Sequence, residues 1–184
     1  MNGRDLERRL HFFTNLNLSD LDQRSRRLRS KKYLPSGARG LNAPALDAGH
    51  VRNVLLSLAA ERAVDVCEAV LEYAWLTPVD GDRDFLGNSS FGETLKILLE
   101  DVEWDLGVRE VTLCRSWPEA VIITESDGIF DRHVYRGADA PNDARYENKA
   151  RVDITFSAGL IHQLAGDIAG ITNPRGGWGE VPQE

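Results

Sequence analysis

Apolar residues recur at helical spacing near the start of the chain and predict two helices. The first helix is expected over residues 4–14 and the second from Ser19 to about Lys32, after a break at residues 15–18. Ser19 and Asp22 form a Ser-x-x-Asp pattern, which favours Ser19 as the N-cap of the second helix. The apolar positions of the two helices are Leu6, Leu10, Phe13, Leu21 and Leu28.

Two further helices are expected before residue 76. Asp47 is the candidate cap of the third helix, and a fourth helix follows from about Arg62 to Trp75. The third helix has Val51, Val54, Leu55 and Leu58 on one side. The fourth has Val64, Cys67, Val70, Leu71 and Ala74 in register, so these five residues are predicted to form its packing face.

The pattern changes after residue 76. Residues 77–90 are rich in turn formers and acids, and an amphipathic helix capped by Ser89 or Ser90 follows them. Four β-rich segments, within residues 108–117, 120–126, 130–137 and 150–157, predict strands, and Ser157 leads into a closing helix. The fold class is therefore expected to be α+β, with a helical part at 1–76, an α+β body with a small antiparallel sheet at 77–171 and a flexible tail at 172–184.

Charge is distributed unevenly along this pattern. Residues 1–52 contain eleven lysines and arginines against five acids, a net charge of +6, whereas the whole chain carries −7. The remaining residues therefore carry −13. A basic first part on an acidic body is typical of a protein whose N-terminal part meets a polyanion, either nucleic acid or an anionic membrane.

The second helix favours nucleic acid over membrane. The predicted order of elements is that of a helix-turn-helix: a short helix, a turn and a capped cationic helix. In that motif the second helix enters the major groove of DNA. A membrane-surface helix needs large apolar residues opposite its charges, and this helix offers only Leu21 and Leu28. Arginine and glutamine contact both phosphates and base edges. The predicted DNA-binding residues are Gln23, Arg24, Arg26, Arg27, Lys31 and Lys32, with Arg39 in the loop that follows.

Residues 5–60 resemble the winged helix-turn-helix of MerR-type regulators and of lambda-type small terminase subunits of phage. They also resemble prophage proteins in which a basic helix leads into a Leu-Pro-x-Gly-x-Arg-Gly loop and an Ala-Pro-x-Leu step. The matching positions are Leu34, Pro35, Gly37, Arg39, Gly40, Ala43 and Pro44. The resemblance implies a recognition helix followed by a wing that carries Arg39. The chain differs from MerR-type regulators because no long coiled-coil helix follows the wing.

The residue pattern contains no recognisable catalytic or metal-binding motif. The four histidines are scattered, no phosphate-binding loop is present, and Cys67 and Cys114 are expected to be reduced thiols. We therefore expect a protein that is not an enzyme and has no cofactor. The N-terminus lacks the apolar core of a signal peptide and no apolar run is long enough to span a membrane, which predicts a cytoplasmic protein without a membrane partner.

These observations predict a phage-type protein that binds double-stranded DNA and forms a homo-oligomer. It would act in DNA packaging or in transcriptional regulation, and the sequence does not separate the two. The alternative is a protein-interaction module, an adaptor or inhibitor, whose basic part binds an acidic protein. Trp178, in the Gly-rich tail, is the candidate partner-binding residue, and a protein partner on the acidic body or tail is also possible.

Overall fold

The computed structural model describes residues 1–37, 43–103, 106–137 and 150–171, which form six α-helices and a five-stranded sheet. The helices are α1 (Gly3–Thr14), α2 (Leu18–Ser30), α3 (Ala48–Ser57), α4 (Val66–Ala74), α5 (Phe91–Leu98) and α6 (Ala158–Ala169). The strands are β1 (Thr77–Pro78), β2 (Val108–Cys114), β3 (Glu119–Ser126), β4 (Ile129–Arg136) and β5 (Asp153–Ser157). The α+β class is confirmed, and so are the four predicted strands.

The sheet is antiparallel, with strand order β1-β4-β3-β2-β5. Asp127 and Gly128, with φ of 53° and 80°, form the tight turn between β3 and β4, since a two-residue hairpin needs left-handed backbone at both positions. β1 has only two residues and was not predicted, because so short a segment carries no alternation. β4 and β5 are consecutive in the chain but are separated in the sheet by β3 and β2.

One face of the sheet packs against the helices in a single buried cluster. The sheet residues of this cluster pair across the strands, as Val111 does with Ile122, so they point to the same side. The same cluster contains leucines of α1, α2, α3 and α5, and α6 lies against β2 and β5. Arg9 of α1 forms an ion pair with Asp167 of α6 at 2.9 Å. The predicted division at residue 76 remains a prediction, and the parts on its two sides share one core.

The helix ends follow local capping, with one correction. α2 begins at Leu18 because the side chain of Asn17 accepts the backbone N–H of Ser19 at 2.8 Å, so the predicted cap at Ser19 is wrong. Asparagine is at least as good a cap as serine, and here it stands two positions earlier. Asp47 and Ser90 cap α3 and α5 as expected.

The packing face predicted for α4 is wrong at two positions. Val64 and Leu71 are 57% and 51% exposed, whereas Cys67 and Ala74 are half-buried and Val70 alone of the five is buried. The helix is rotated so that it buries another set of residues, Val66, Ala69, Val70 and Tyr73. Tyr73 explains the choice, because its hydroxyl donates hydrogen bonds to the backbone oxygens of Cys114 and Trp117 at the β2–β3 turn.

A buried carboxylate holds one end of the sheet together. Glu119, at the start of β3, is 2% exposed and accepts hydrogen bonds from Arg136 of β4 and from Arg151, each at 2.6 Å. Arg151 also donates to Asp153 at 2.7 Å, so this network reaches the first residue of β5. Burial alone would raise the pKa of Glu119, but the hydrogen bonds from Arg151 and Arg136 outweigh burial and hold the pKa below its ordinary value.

We expect Glu119→Gln to lower the free energy of unfolding at neutral pH by about 2–3 kcal/mol, since it removes the charge that faces two arginines. The folded-state pKa lies below the ordinary value of 4.5. The ionised carboxylate therefore stabilises the fold above that value, and this contribution is lost as the pH falls through the folded-state pKa. Denaturant unfolding from about pH 7 to about pH 3 should show the two proteins converging in stability. A difference that does not change with pH would contradict this role.

Candidate nucleic-acid interface

α1 and α2 form a helical hairpin that presents α2 to solvent along one side. The three-residue turn contains Asn15 in the left-handed conformation, with φ of 55°, which ends α1. Arg29, near the end of α2, lies 3.6 Å from Glu7, so the far ends of the two helices stay close together. The buried residues of the hairpin are Leu6, Leu10, Leu21, Arg24, Ser25 and Leu28.

The exposed side of α2, with the two lysines that follow it, is polar and cationic. We call this surface the α2 basic face; its members are Ser19, Gln23, Arg26, Arg27, Ser30, Lys31 and Lys32, all exposed. Arg26 pairs with Asp22 at 2.7 Å across one helical turn, an exposed pair of small energetic value. Arg27, Lys31 and Lys32 form no ion pair with any residue in the described ranges. The structure therefore keeps four of the predicted cations, Arg26, Arg27, Lys31 and Lys32, and also Gln23 available to an anionic ligand.

Arg24 is a correction, because the structure buries it. The sequence predicts an exposed Arg24 next to Arg27, but its exposed fraction is 4%. On a helical projection Arg24 stands at the edge of the cationic arc, beside the buried Leu28, and the packing of α3 covers that edge. Its Nε donates to Asp20 at 2.7 Å. Arg24 is therefore part of the core, and Asp20 is drawn to the same side.

The guanidinium of Arg24 satisfies the end of α3. Its Nη1 donates to the backbone oxygens of Ser57 and Ala60 at 2.7 and 3.0 Å, and Nη2 donates to that of Glu61 at 3.4 Å. The last carbonyls of a helix have no partner within it, and a cation there also complements the helix dipole. Arg115, just after β2, donates to the Ala60 oxygen at 3.1 Å. Two arginines from distant parts of the chain thus meet at this helix end.

Two predicted site residues, Arg39 and Trp178, lie outside the described residues. Sequence reasoning also left out Arg4 and Arg8, which are exposed on α1. Their i, i+4 spacing places them on one side of that helix, and this was the available signal. They are further exposed cations of the same basic N-terminal part.

A small open groove lies at the end of the sheet that carries the β3–β4 turn. His133 is stacked on Phe85 at 4.1 Å between ring centroids, and its Nε2 lies 3.0 Å from the Thr124 hydroxyl. Burial lowers the pKa of His133, and the acidic residues around it, Asp131, Asp84 and Asp80, oppose the shift. The groove has a volume of about 240 Å³. Stacking and hydrogen bonding therefore account for His133 as a structural contact between Phe85 and the sheet, where Tyr135 also donates to Asp84 at 2.8 Å.

Within the described ranges, no three His, Cys, Asp or Glu side chains come together as metal ligands would. None of the helices described combines the length and the apolarity that crossing a membrane requires. Cys67 and Cys114 are both free thiols.

We expect Arg24→Ala to lower the free energy of unfolding by about 3 kcal/mol, because it removes the buried guanidinium that donates to the backbone oxygens of Ser57, Ala60 and Glu61. Arg27→Ala is the matched control and should change stability by no more than about 0.5 kcal/mol, since Arg27 is exposed. Chemical denaturation of both variants measures the difference. Equal stability of the two would contradict the buried role of Arg24.

Comparisons of the chain with protein families, with characterised proteins and with solved structures give no match. A functional conclusion therefore depends on the chemistry and geometry of the described residues. Among these, the α2 basic face brings together four exposed cations, Arg26 and Arg27 on α2 and Lys31 and Lys32 directly after it.

Proposed function

We propose that the protein binds double-stranded DNA through the α2 basic face. The observation that carries this proposal is the separation of charge on α2. Its one buried arginine takes Asp20 to the core side, whereas Arg27, Lys31 and Lys32 are exposed without a described ion-pair partner. Phosphates attract such cations without regard to sequence, and DNA binding releases the counterions that the phosphates hold.

The polar members of the face support contacts to bases as well as to phosphates. Gln23, Arg26, Arg27 and Ser30 are spaced so that they lie along one side of α2. Arginine pairs with guanine and glutamine with adenine through two hydrogen bonds in the major groove, where an α-helix fits. A helix of thirteen residues, as α2 is, is long enough to follow that groove.

A winged helix-turn-helix is the finer form of this proposal. The three-residue turn and the side-chain cap of α2 support it. The contact of Arg29 with Glu7 counts against a wide crossing of about 90–120° between the helices, because such a crossing would separate their far ends. We therefore base the proposal on the exposed side of α2, and the wing, with Arg39, remains a prediction.

Salt-titrated DNA binding by the full chain tests the proposal. Arg27→Ala should weaken binding and lower the slope of log K against log salt by about one if Arg27 contacts a phosphate. If Arg27 contacts a base, the loss should be about 1–3 kcal/mol and depend on the site sequence. Arg132→Ala, an exposed arginine on β4, is the matched control and should bind as the parent does.

Absence of binding at about 50 mM salt, where electrostatic contacts are strong, would overturn the proposal. Equal effects of Arg27→Ala and Arg132→Ala would also overturn it, because binding would then follow total charge. The first result would favour the second candidate, a protein-interaction module. The specific observation for that candidate is Trp75, directly after α4, which is 74% exposed.

We further propose a role in DNA packaging or in transcriptional regulation, in a protein of phage type. The assembly state on DNA separates the two roles. A ring of many subunits would favour packaging, whereas a dimer on a palindromic site would favour regulation.

A further inference from the structure

α4 carries an unusual exposed apolar stripe. Val64, just before the helix, Leu71 and Trp75 are 57%, 51% and 74% exposed. Their spacing of seven and four residues places them on one side of the helix, opposite the side that packs on the core. We call these three residues the α4 stripe.

The stripe makes α4 apolar on two opposite sides. One side is buried in the fold through Val66, Ala69, Val70 and Tyr73. A helix with apolar residues all round normally has both sides covered. Scattered exposed apolar residues need no explanation, but three large ones aligned on one side of α4 and its two ends are of the kind that binds a protein. A helix from a partner protein is the simplest element that would bury these three residues, since the stripe is narrow and straight.

The two flanks of the stripe carry opposite charges. Glu68 is exposed on one flank. Half-buried Cys67 is on the other, where α2 packs beside α4. Burial raises the pKa of the Cys67 thiol, and the positive charges of Arg27 and Lys31 oppose that shift, which places both cations near this flank. The surface formed by the α4 stripe and its two flanks is therefore complementary in charge to a second copy of the same surface.

We propose that the α4 stripe packs against the α4 stripe of a second copy of this chain, with the two helices parallel about a two-fold axis that runs along them. In a parallel pair each flank faces the opposite flank of the other copy. Glu68 of one copy then faces Arg27 and Lys31 of the other. An antiparallel pair would bring like flanks together and place cations against cations, so the charges select the parallel arrangement.

The proposed pair does not rest on DNA binding, although it shares Arg27 and Lys31 with the α2 basic face. Gln23, Arg26 and Ser30 lie further round α2, away from α4, so they stay exposed in such a pair. The contact uses a few large side chains, and the dimer is therefore expected to dissociate on dilution. Sedimentation of the full chain over a range of concentrations, without DNA, measures this equilibrium.

Cysteine cross-linking tests the contact directly. Leu71 stands at the centre of the stripe, so it meets its own copy across the two-fold axis. Leu71→Cys in a Cys67→Ser background should form a covalent dimer on mild oxidation, while Cys114 is 0% exposed and does not compete. Ile129→Cys in the same background is the control, because Ile129 is 65% exposed at the β3–β4 turn, far along the chain from the stripe. Equal rates of cross-linking at the two positions would overturn the proposal.

Charge reversal tests the parallel orientation. Glu68→Lys should raise the dimer dissociation constant roughly tenfold, because two exposed pairs per dimer become repulsive. Adding Lys31→Glu should recover part of the loss. Leu71→Glu should give a monomer with near-parental stability, since Leu71 is 51% exposed and is not among the buried residues of α4. A parent chain that is monomeric at every concentration, or a Glu68→Lys variant that dimerises as the parent does, would overturn the arrangement.

Discussion

The structure depends on the way in which two arginines complete the end of α3. Arg24 donates to the backbone oxygen of Ser57, the last residue of α3, and to that of Ala60 in the turn that follows, and the Ala60 oxygen also accepts from Arg115. Arg24, Ser57 and Ala60 are all buried, so losing the guanidinium would leave polar atoms in a largely apolar surrounding. Because Arg24 belongs to α2 and Arg115 follows β2, this single helix end joins the basic hairpin to the sheet.

The same interaction shapes the candidate DNA-binding surface. With Arg24 held in the core, α2 has only one orientation in which its leucines are buried. That orientation directs Arg27 and its neighbours to solvent and draws Asp20 to the Arg24 side chain. A buried charge is costly unless it is paired and hydrogen-bonded, and here every donor group of the guanidinium has an acceptor. The buried Arg24 therefore fixes the orientation of α2, and this orientation exposes Arg27 and its neighbours.

Two surfaces meet where α2 packs beside α4. The cations of α2 provide charge for a polyanion, and the α4 stripe provides apolar area for a protein partner. Arg27 and Lys31 lie at the border between them, so dimerisation and DNA binding would influence each other through shared charges. A two-fold pair would also present two copies of the basic face, as a palindromic DNA site requires.

The sequence by itself determined the helices, the four longer strands and the concentration of positive charge on α2. These follow from residue spacing, capping and composition, which are local properties of the chain. It did not determine the exposure of Arg24 or of Leu71. The helical pattern is compatible with either a buried or an exposed side chain at both positions. Contacts with residues more than thirty positions away in the sequence decided which of the two occurs. Ser57 and Ala60 drew Arg24 inward, and the hydrogen bonds of Tyr73 with the β2–β3 turn rotated Leu71 outward. Only the tertiary structure brings such partners together, because their encounter depends on how the helices pack and not on their own periodicity.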